Sequence, residues 1–265
     1  MNKIKNQIKI SWYMYIYVVI FCLSIIVGVT LSHTYFNVFG IIRTIIAIIM
    51  VIALVTIIIR KGKIYDSNLI VNKRVGVITF CVIYLSWLVV FFVYYPGIFA
   101  YDVGNQMRQI VEHSYNIKHP ILHTLLIELF YNFGERMDSH NLGIAFYSLF
   151  QMAVVDMILS SVLYYVYKRG INRWVYCGCV VFYAAMPFCS MLSVSVTKDV
   201  IFSGLFLLFC FFIYRLSNEN NNSFLSYTYA AVVGILMCMF RNNAIYAVVL
   251  FGIVLFVMNL YKKTL

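Results

Sequence analysis

The residues able to do chemistry crowd into one stretch of the chain and two later points. Asp102, Gln106, Gln109 and His113 stand at offsets of 0, 4, 7 and 11, which a 3.6-residue repeat places on one helical face. A carboxylate in that setting either takes a proton from a polar partner or caps the first turn of its helix. His119 and His123 are four apart, a spacing that suits two metal ligands, but neither a third ligand nor a zinc-protease glutamate accompanies them. No metal is expected. Further along stand two cations, Lys198 and Arg241, each able to meet a phosphate oxygen, the arginine in bidentate fashion. Each also has a plainer reading. Lys198 has Asp199 beside it, Asp199 suits a helix start, and Arg241 suits a helix end that Asn242 can cap.

The elements that must hold these residues are apolar. Of 265 residues 63% are hydrophobic and 11% charged, with a mean hydropathy of +0.90. Soluble domains carry about 25% charged residues, so a water-soluble globule is excluded, and so is disorder. The seven cysteines all fall in apolar stretches and show no disulfide or metal spacing. Eight segments approach the roughly 20 apolar residues that a membrane-crossing helix needs: 12–31, 38–59, 75–95, 142–167, 174–192, 200–214, 227–240 and 244–260. The sixth and seventh are short. The first is too long for a cleavable signal, and no cleavage site follows it. The expected fold is thus an all-α polytopic membrane helix bundle of about eight spans. Residues 1–74 form two N-terminal spans with a basic loop, and residues 75–265 form the main module.

Charge sets the orientation. The two ends and every second linker hold fourteen basic residues, among them Lys61, Arg74, Lys168, Arg173 and Lys262, against Asp66 and Glu219. The alternate linkers hold Arg108, Lys118, Arg136, Lys198 and Arg241 against six acids. Basic loops mark the cytoplasm, so both termini are expected inside a cell membrane, bacterial by its character. The net charge of +11 is then a topology signal, and nucleic acid is excluded as a partner. All five histidines and all three prolines fall on the outer side. Residues 96–141 make the one long outer loop, read as two interfacial helices: an amphipathic one after Pro96-Gly97, and one opening at Pro120 that Glu128 interrupts. Asp156 is the single acid deep in a span, and a structural hydrogen bond to a neighbouring helix is expected of it.

The run from Tyr94-Tyr-Pro-Gly-Ile-Phe-Ala-Tyr-Asp102 to Gln106, followed by Lys118-His-Pro-Ile-Leu-His123, resembles the first outer loop of GT-C membrane glycosyltransferases. It is most similar to the protein O-mannosyltransferases and the lipid A aminoarabinose transferase. Thr197-Lys-Asp199 and Arg241-Asn-Asn-Ala-Ile-Tyr246 are similar to an uncharacterised bacterial membrane family often grouped with them. The resemblance spans roughly residues 75–260. It implies transfer of a sugar from a polyprenyl-phosphate carrier to a hydroxyl of an envelope glycan, lipid or protein, with inversion and without a cofactor. Such a reaction needs a carboxylate to take the acceptor proton and cations around the departing phosphate. Asp102 is the expected base. Gln106, His119, His123, Lys198 and Arg241 are the expected substrate contacts, with an ordinary structural role the plainer reading of the histidines. Counted from the third span the module has six spans where the family usually has seven plus a C-terminal portion, so a truncated product, a fragment or a divergent member lacking acceptor-binding elements is expected. A transporter or flippase, or a non-catalytic partner in envelope polysaccharide synthesis, is the alternative. The transporter reading is weakened by the lack of an internal repeat.

Overall fold

The computed structural model of the protein describes residues 45, 49, 72–99, 101–116, 120–218 and 224–253. Apart from Ile45 and Ile49, both helical, the first two expected spans lie outside the described residues, as does the end of the eighth. The chain divides into two compact units, residues 71–165 with 177–265, and residues 166–176 with 1–70. In the second of these the described part, apart from Ile45 and Ile49, is the end of one helix, a turn and the start of the next. Tyr167 stacks on Tyr176 with ring centroids 4.4 Å apart, and Asn172 Oδ1 accepts the Trp174 N–H at 2.9 Å.

The described fold is helical, with one two-residue strand pair. In chain order it runs α1 (Arg74–Val93), β1 (Ile98–Phe99), α2 (Tyr101–Val111), α3 (Ile121–Glu135), α4 (His140–Lys168), α5 (Arg173–Ala185), α6 (Pro187–Val194), β2 (Ser195–Val196), α7 (Lys198–Asn218), α8 (Phe224–Phe240) and α9 (Ala244–Ile253). Among the described residues α1, α4 and α7 are long and apolar enough to cross a membrane, and α5 with α6 adds a fourth if the bent pair counts as one span. The fifth expected span is therefore not one straight helix. Pro187 lacks the N–H that would continue the ladder, Met186 adopts an extended conformation before it, and the axis turns by 54°. The sixth, expected to be short, runs the full 21 residues of α7.

Apolar side chains settle into three clusters. Ile83, Trp87 and Phe91 of α1 pack on Ala145, Met152 and Leu159 of α4 and on Val194 of α6. The Trp87 indole N–H donates to Tyr183 O at 2.9 Å, which satisfies the one polar atom of that ring. Ile201, Leu205 and Phe209 of α7 pack on Val233, Met237 and Phe240 of α8 and on Ala244. Val103 and Ile110 of α2, Ile127 of α3, Ile144 and Tyr147 of α4 and Val196 of β2 form the third, which underlies the polar end of the molecule. The opposite face of α1 keeps Val77, Ile78, Leu85, Val89 and Phe92 exposed, an apolar row suited to hydrocarbon.

The strand pair is small but it fixes the site. β1 and β2 run parallel, with Ile98 opposite Ser195 and Phe99 opposite Val196. The close approach depends on Gly97, whose φ is +153°; a Cβ there would lie 2.5 Å from Ser148 Oγ and 3.2 Å from Val196 Cγ2. Ser148 instead donates its hydroxyl to Pro96 O at 3.0 Å. A second close approach sits at the α3–α4 turn, where a Cβ on Gly143 would meet Phe130 O at 2.5 Å.

Gly97→Ala is expected to cost about 1–3 kcal/mol by combining a disfavoured φ with overpacking against Ser148 and Val196. Thermal unfolding of the detergent-solubilised protein measures it, and an unchanged midpoint would remove this account of the strand pair.

Candidate functional site

Lys198 opens α7, and a cation in a helix's first turn faces the positive end of the macrodipole. Its charge must be met by an anion from elsewhere. The neighbouring Asp199 points around the helix, since residues one apart do not face each other. The strand pair supplies the answer: α2 begins two residues after β1 and α7 two residues after β2, so their first turns are brought together. Lys198 Nζ donates to Asp102 Oδ2 at 2.7 Å, across 96 residues of sequence. The pair is partly buried, with side-chain exposures of 17% and 36%.

Asp199 pairs elsewhere. Arg241, in the turn between α8 and α9, donates from Nη1 to Asp199 Oδ1 at 2.8 Å, and its guanidinium lies 5.2 Å above the centre of the Phe202 ring. These side chains are 44% and 46% exposed, so their pairing is the weaker of the two. The four charges therefore alternate as Asp102, Lys198, Asp199, Arg241 and sum to zero. Of the plainer readings, the pairing of Lys198 with Asp199 is not formed, while Arg241 does follow the end of α8 and Asp199 does lie in the first turn of α7, each with the other as its ion partner.

Below the charges runs a chain of buried polar groups. Gln106 donates from Nε2 to Thr124 Oγ1 at 3.0 Å, and its Oε1 lies 3.1 Å from His123 Nδ1. His123 Nε2 meets the Tyr147 hydroxyl at 2.8 Å, and that hydroxyl donates to Gln151 Oε1 at 2.9 Å. Gln151 Nε2 in turn donates to Ser193 O and Ser195 O, both at 2.8 Å. His123 Nδ1 faces an amide oxygen that can only accept, so it carries the proton of that bond, and the Tyr147 hydroxyl stands between His123 Nε2 and Gln151 Oε1. Gln106, His123, Tyr147 and Gln151 are all fully buried. The run ties α2, α3, α4 and the α6–β2 junction into one assembly, and its last link holds the backbone that leads into Lys198.

Of the residues singled out in the sequence, Asp102 and Lys198 pair directly, and Arg241 pairs with Asp199, the residue after Lys198. Gln106 and His123 do not face a cavity: they bond to each other inside the protein. The buried residues of α2 are Val103, Gln106, Gln109 and Ile110, because the helix packs on α3 and α4 through that side and takes both glutamines with it. His119 lies outside the described residues. Tyr147, Gln151 and Asp199 were not singled out as site residues. The signal for Gln151 was a lone amide in an apolar span; Tyr147 was one of 22 tyrosines and gave none. Asp156 is fully buried, and among the described residues neither carboxylate oxygen has a hydrogen-bond partner. No group of three or more His, Cys, Asp or Glu able to hold a metal occurs among the described residues.

The loop after α2 is strapped to α3. The Tyr115 hydroxyl donates to Glu128 Oε1 at 2.7 Å, and the Asn116 N–H donates to Gln109 Oε1 at 3.2 Å. The bond to Glu128, helped by desolvation and the carboxylate's charge, holds the Tyr115 phenol above the ordinary tyrosine range.

Residues 113–265 match a protein family described as a family of unknown function, DUF6020, a match that covers more than half of the chain. No curated protein and no solved structure matches the chain.

Gln151→Leu leaves the Ser193 and Ser195 carbonyls and the Tyr147 hydroxyl without their partner, and is expected to destabilise the protein by about 2–4 kcal/mol. Tyr147→Phe, which keeps the ring in place, is expected to cost less. Denaturant or thermal unfolding ranks the two, and the reverse order would contradict the chain of bonds described. For Tyr115 the raised value means that its bond is fully present below the unfolded phenol's titration and is lost as pH climbs through the folded one. Glu128→Gln is expected to bring that titration down toward the ordinary range, followed by NMR of labelled tyrosine with Tyr115→Phe for assignment.

Proposed function

The chain belongs to the DUF6020 family, and we propose that it is a membrane glycosyltransferase moving a sugar from a polyprenyl-phosphate carrier to an acceptor hydroxyl on the outer face of the cell membrane. The reading takes the whole chain as about eight spans with both termini in the cytoplasm and the charged row outside. The acceptor is an envelope glycan, lipid or protein.

The observation that carries the reading is the Asp102–Lys198 pair, a carboxylate and an ammonium joined at the start of a membrane-length helix. In the reaction the acceptor oxygen bonds to the sugar's anomeric carbon as its proton passes to an Asp102 carboxylate oxygen. The bond from that carbon to the phosphate oxygen breaks, and its electron pair stays on the phosphate. One negative charge thus disappears from Asp102 while one appears on the phosphate. Lys198, bonded to the first, is the cation that would follow it to the second, and such stabilisation of developing charge is a large part of most enzymatic rate enhancements. Attack opposite the leaving phosphate inverts the anomeric centre.

The lipid half of the donor also has a place. An apolar groove of about 650 Å³ runs between α7, α8 and α9, lined by Phe209, Ala230, Gly234, Met239, Ile245 and Val249. Met239 and Ile245 flank the turn that carries Arg241, so a chain lying in the groove would bring its phosphate to that guanidinium. His123 and Gln106 enter as positioning residues, since both are buried and bonded beneath the charged row.

Purified protein given a labelled polyprenyl-phosphate sugar and an envelope extract is expected to transfer label. Asp102→Asn is expected to lower the rate by about 100-fold or more, the scale of a lost general base. Undiminished transfer in that variant would dismiss Asp102 as the base, and solute uptake into sealed vesicles without transfer would favour a transporter.

A further inference from the structure

We propose that Asp199 is a resident stand-in for a phosphate oxygen, holding the Arg241 guanidinium in place and yielding it when a phosphate-bearing ligand arrives. The proposal rests on the reading of the charged row as a phosphate site and adds to it a residue that works against binding.

The row has no net charge, so each cation already has a carboxylate partner with which an arriving anion must compete. The two pairs are unequal candidates. Asp102 and Lys198 are partly buried and both lie in first turns joined by the strand pair. Asp199 and Arg241 are about half exposed, and an arriving oxyanion reaches them without disturbing the core. Among the described residues, the one hydrogen bond of the Arg241 guanidinium is from Nη1 to a single oxygen of Asp199. A guanidinium presents five N–H donors in a planar fork that matches two phosphate oxygens. The present bond uses a small part of that capacity. Phe202 lies beneath the guanidinium and keeps it in position while its partner changes.

Asp199 also gives up the arginine easily. It sits in the first turn of α7, where a carboxylate is favoured by the helix dipole whether or not a cation is attached. Its backbone N–H is already directed at Thr197 Oγ1, at 3.4 Å. The released carboxylate therefore stays in a favourable place, close enough to repel the phosphate that displaced it. That repulsion has a use in group transfer. The donor is a phosphodiester with one negative charge, whereas the product left on the lipid is a phosphomonoester with nearly two. A site made of bare cations would bind the product more tightly than the donor, and a resident carboxylate opposes that.

The test is equilibrium binding of two probes, inorganic phosphate and dodecyl phosphate, to the purified full-length chain in detergent. Asp199→Asn is expected to bind phosphate about tenfold more tightly than the natural protein, and Arg241→Gln to lose binding. In the double variant the gain is expected to vanish, since it acts through Arg241. Asp199→Ser serves as a second carboxylate-free variant that retains a helix-capping hydroxyl, and thermal melts confirm folding of each. A gain with dodecyl phosphate alone supports the exchange at a lipid headgroup; an equal gain with both probes supports it for phosphate at large. If the natural protein binds phosphate and both Asp199 variants bind it equally or less tightly, the stand-in is overturned while the phosphate site survives. If no form binds either probe, both are overturned.

Discussion

A lysine in the first turn of a helix is electrostatically misplaced, and the organisation of this protein's polar end follows from correcting that. Lys198 meets α7 at its positive pole, so an anion has to be delivered from another element. The delivery is made by backbone geometry. Two residues of parallel strand pairing join the chain after α1 to the chain before α7, and the first turns that follow carry Asp102 and Lys198 into contact. Remove the close approach at Gly97 and the two helix starts lose their common reference. A very short β element thereby governs the placement of charges on otherwise independent helices.

The buried amide, imidazole and phenol groups below give that arrangement its stiffness. A half-satisfied polar network in an apolar interior is worse than none, which makes a satisfied one directional. Gln151 shows the effect well, since its amide can meet two carbonyls and one hydroxyl together only if α4, α6 and β2 are in register. His123 and Gln106 extend the same constraint to α3 and α2. Apolar packing alone would tolerate some sliding of these helices; the hydrogen bonds do not.

Much of this was legible in the residues. The hydropathy of α1, α4 and α7 marks them as membrane-length helices, the Pro96-Gly97 turn and Pro120 mark where α2 and α3 begin, and Asp102, Lys198 and Arg241 stood out as charges beside apolar runs. What could not be read was who pairs with whom. Lys198 and Asp199 are adjacent in sequence and diverge in space, whereas Lys198 and Asp102 depend on a strand register that no local pattern announces. Gln106 was misassigned to an open polar face for a related reason: the helical repeat shows which residues share a side, but packing on α3 and α4 decides which side is inside. Pro187 was visible, yet a break and a continued span have nearly the same composition.

The alternation of sign along the charged row has a consequence at long range. Each of the two ion pairs carries no net charge, so its field falls off faster with distance than that of a single ion. Such a surface does not draw anions from a distance, and ionic strength has little to screen. Recognition there is a matter of contact rather than of long-range attraction.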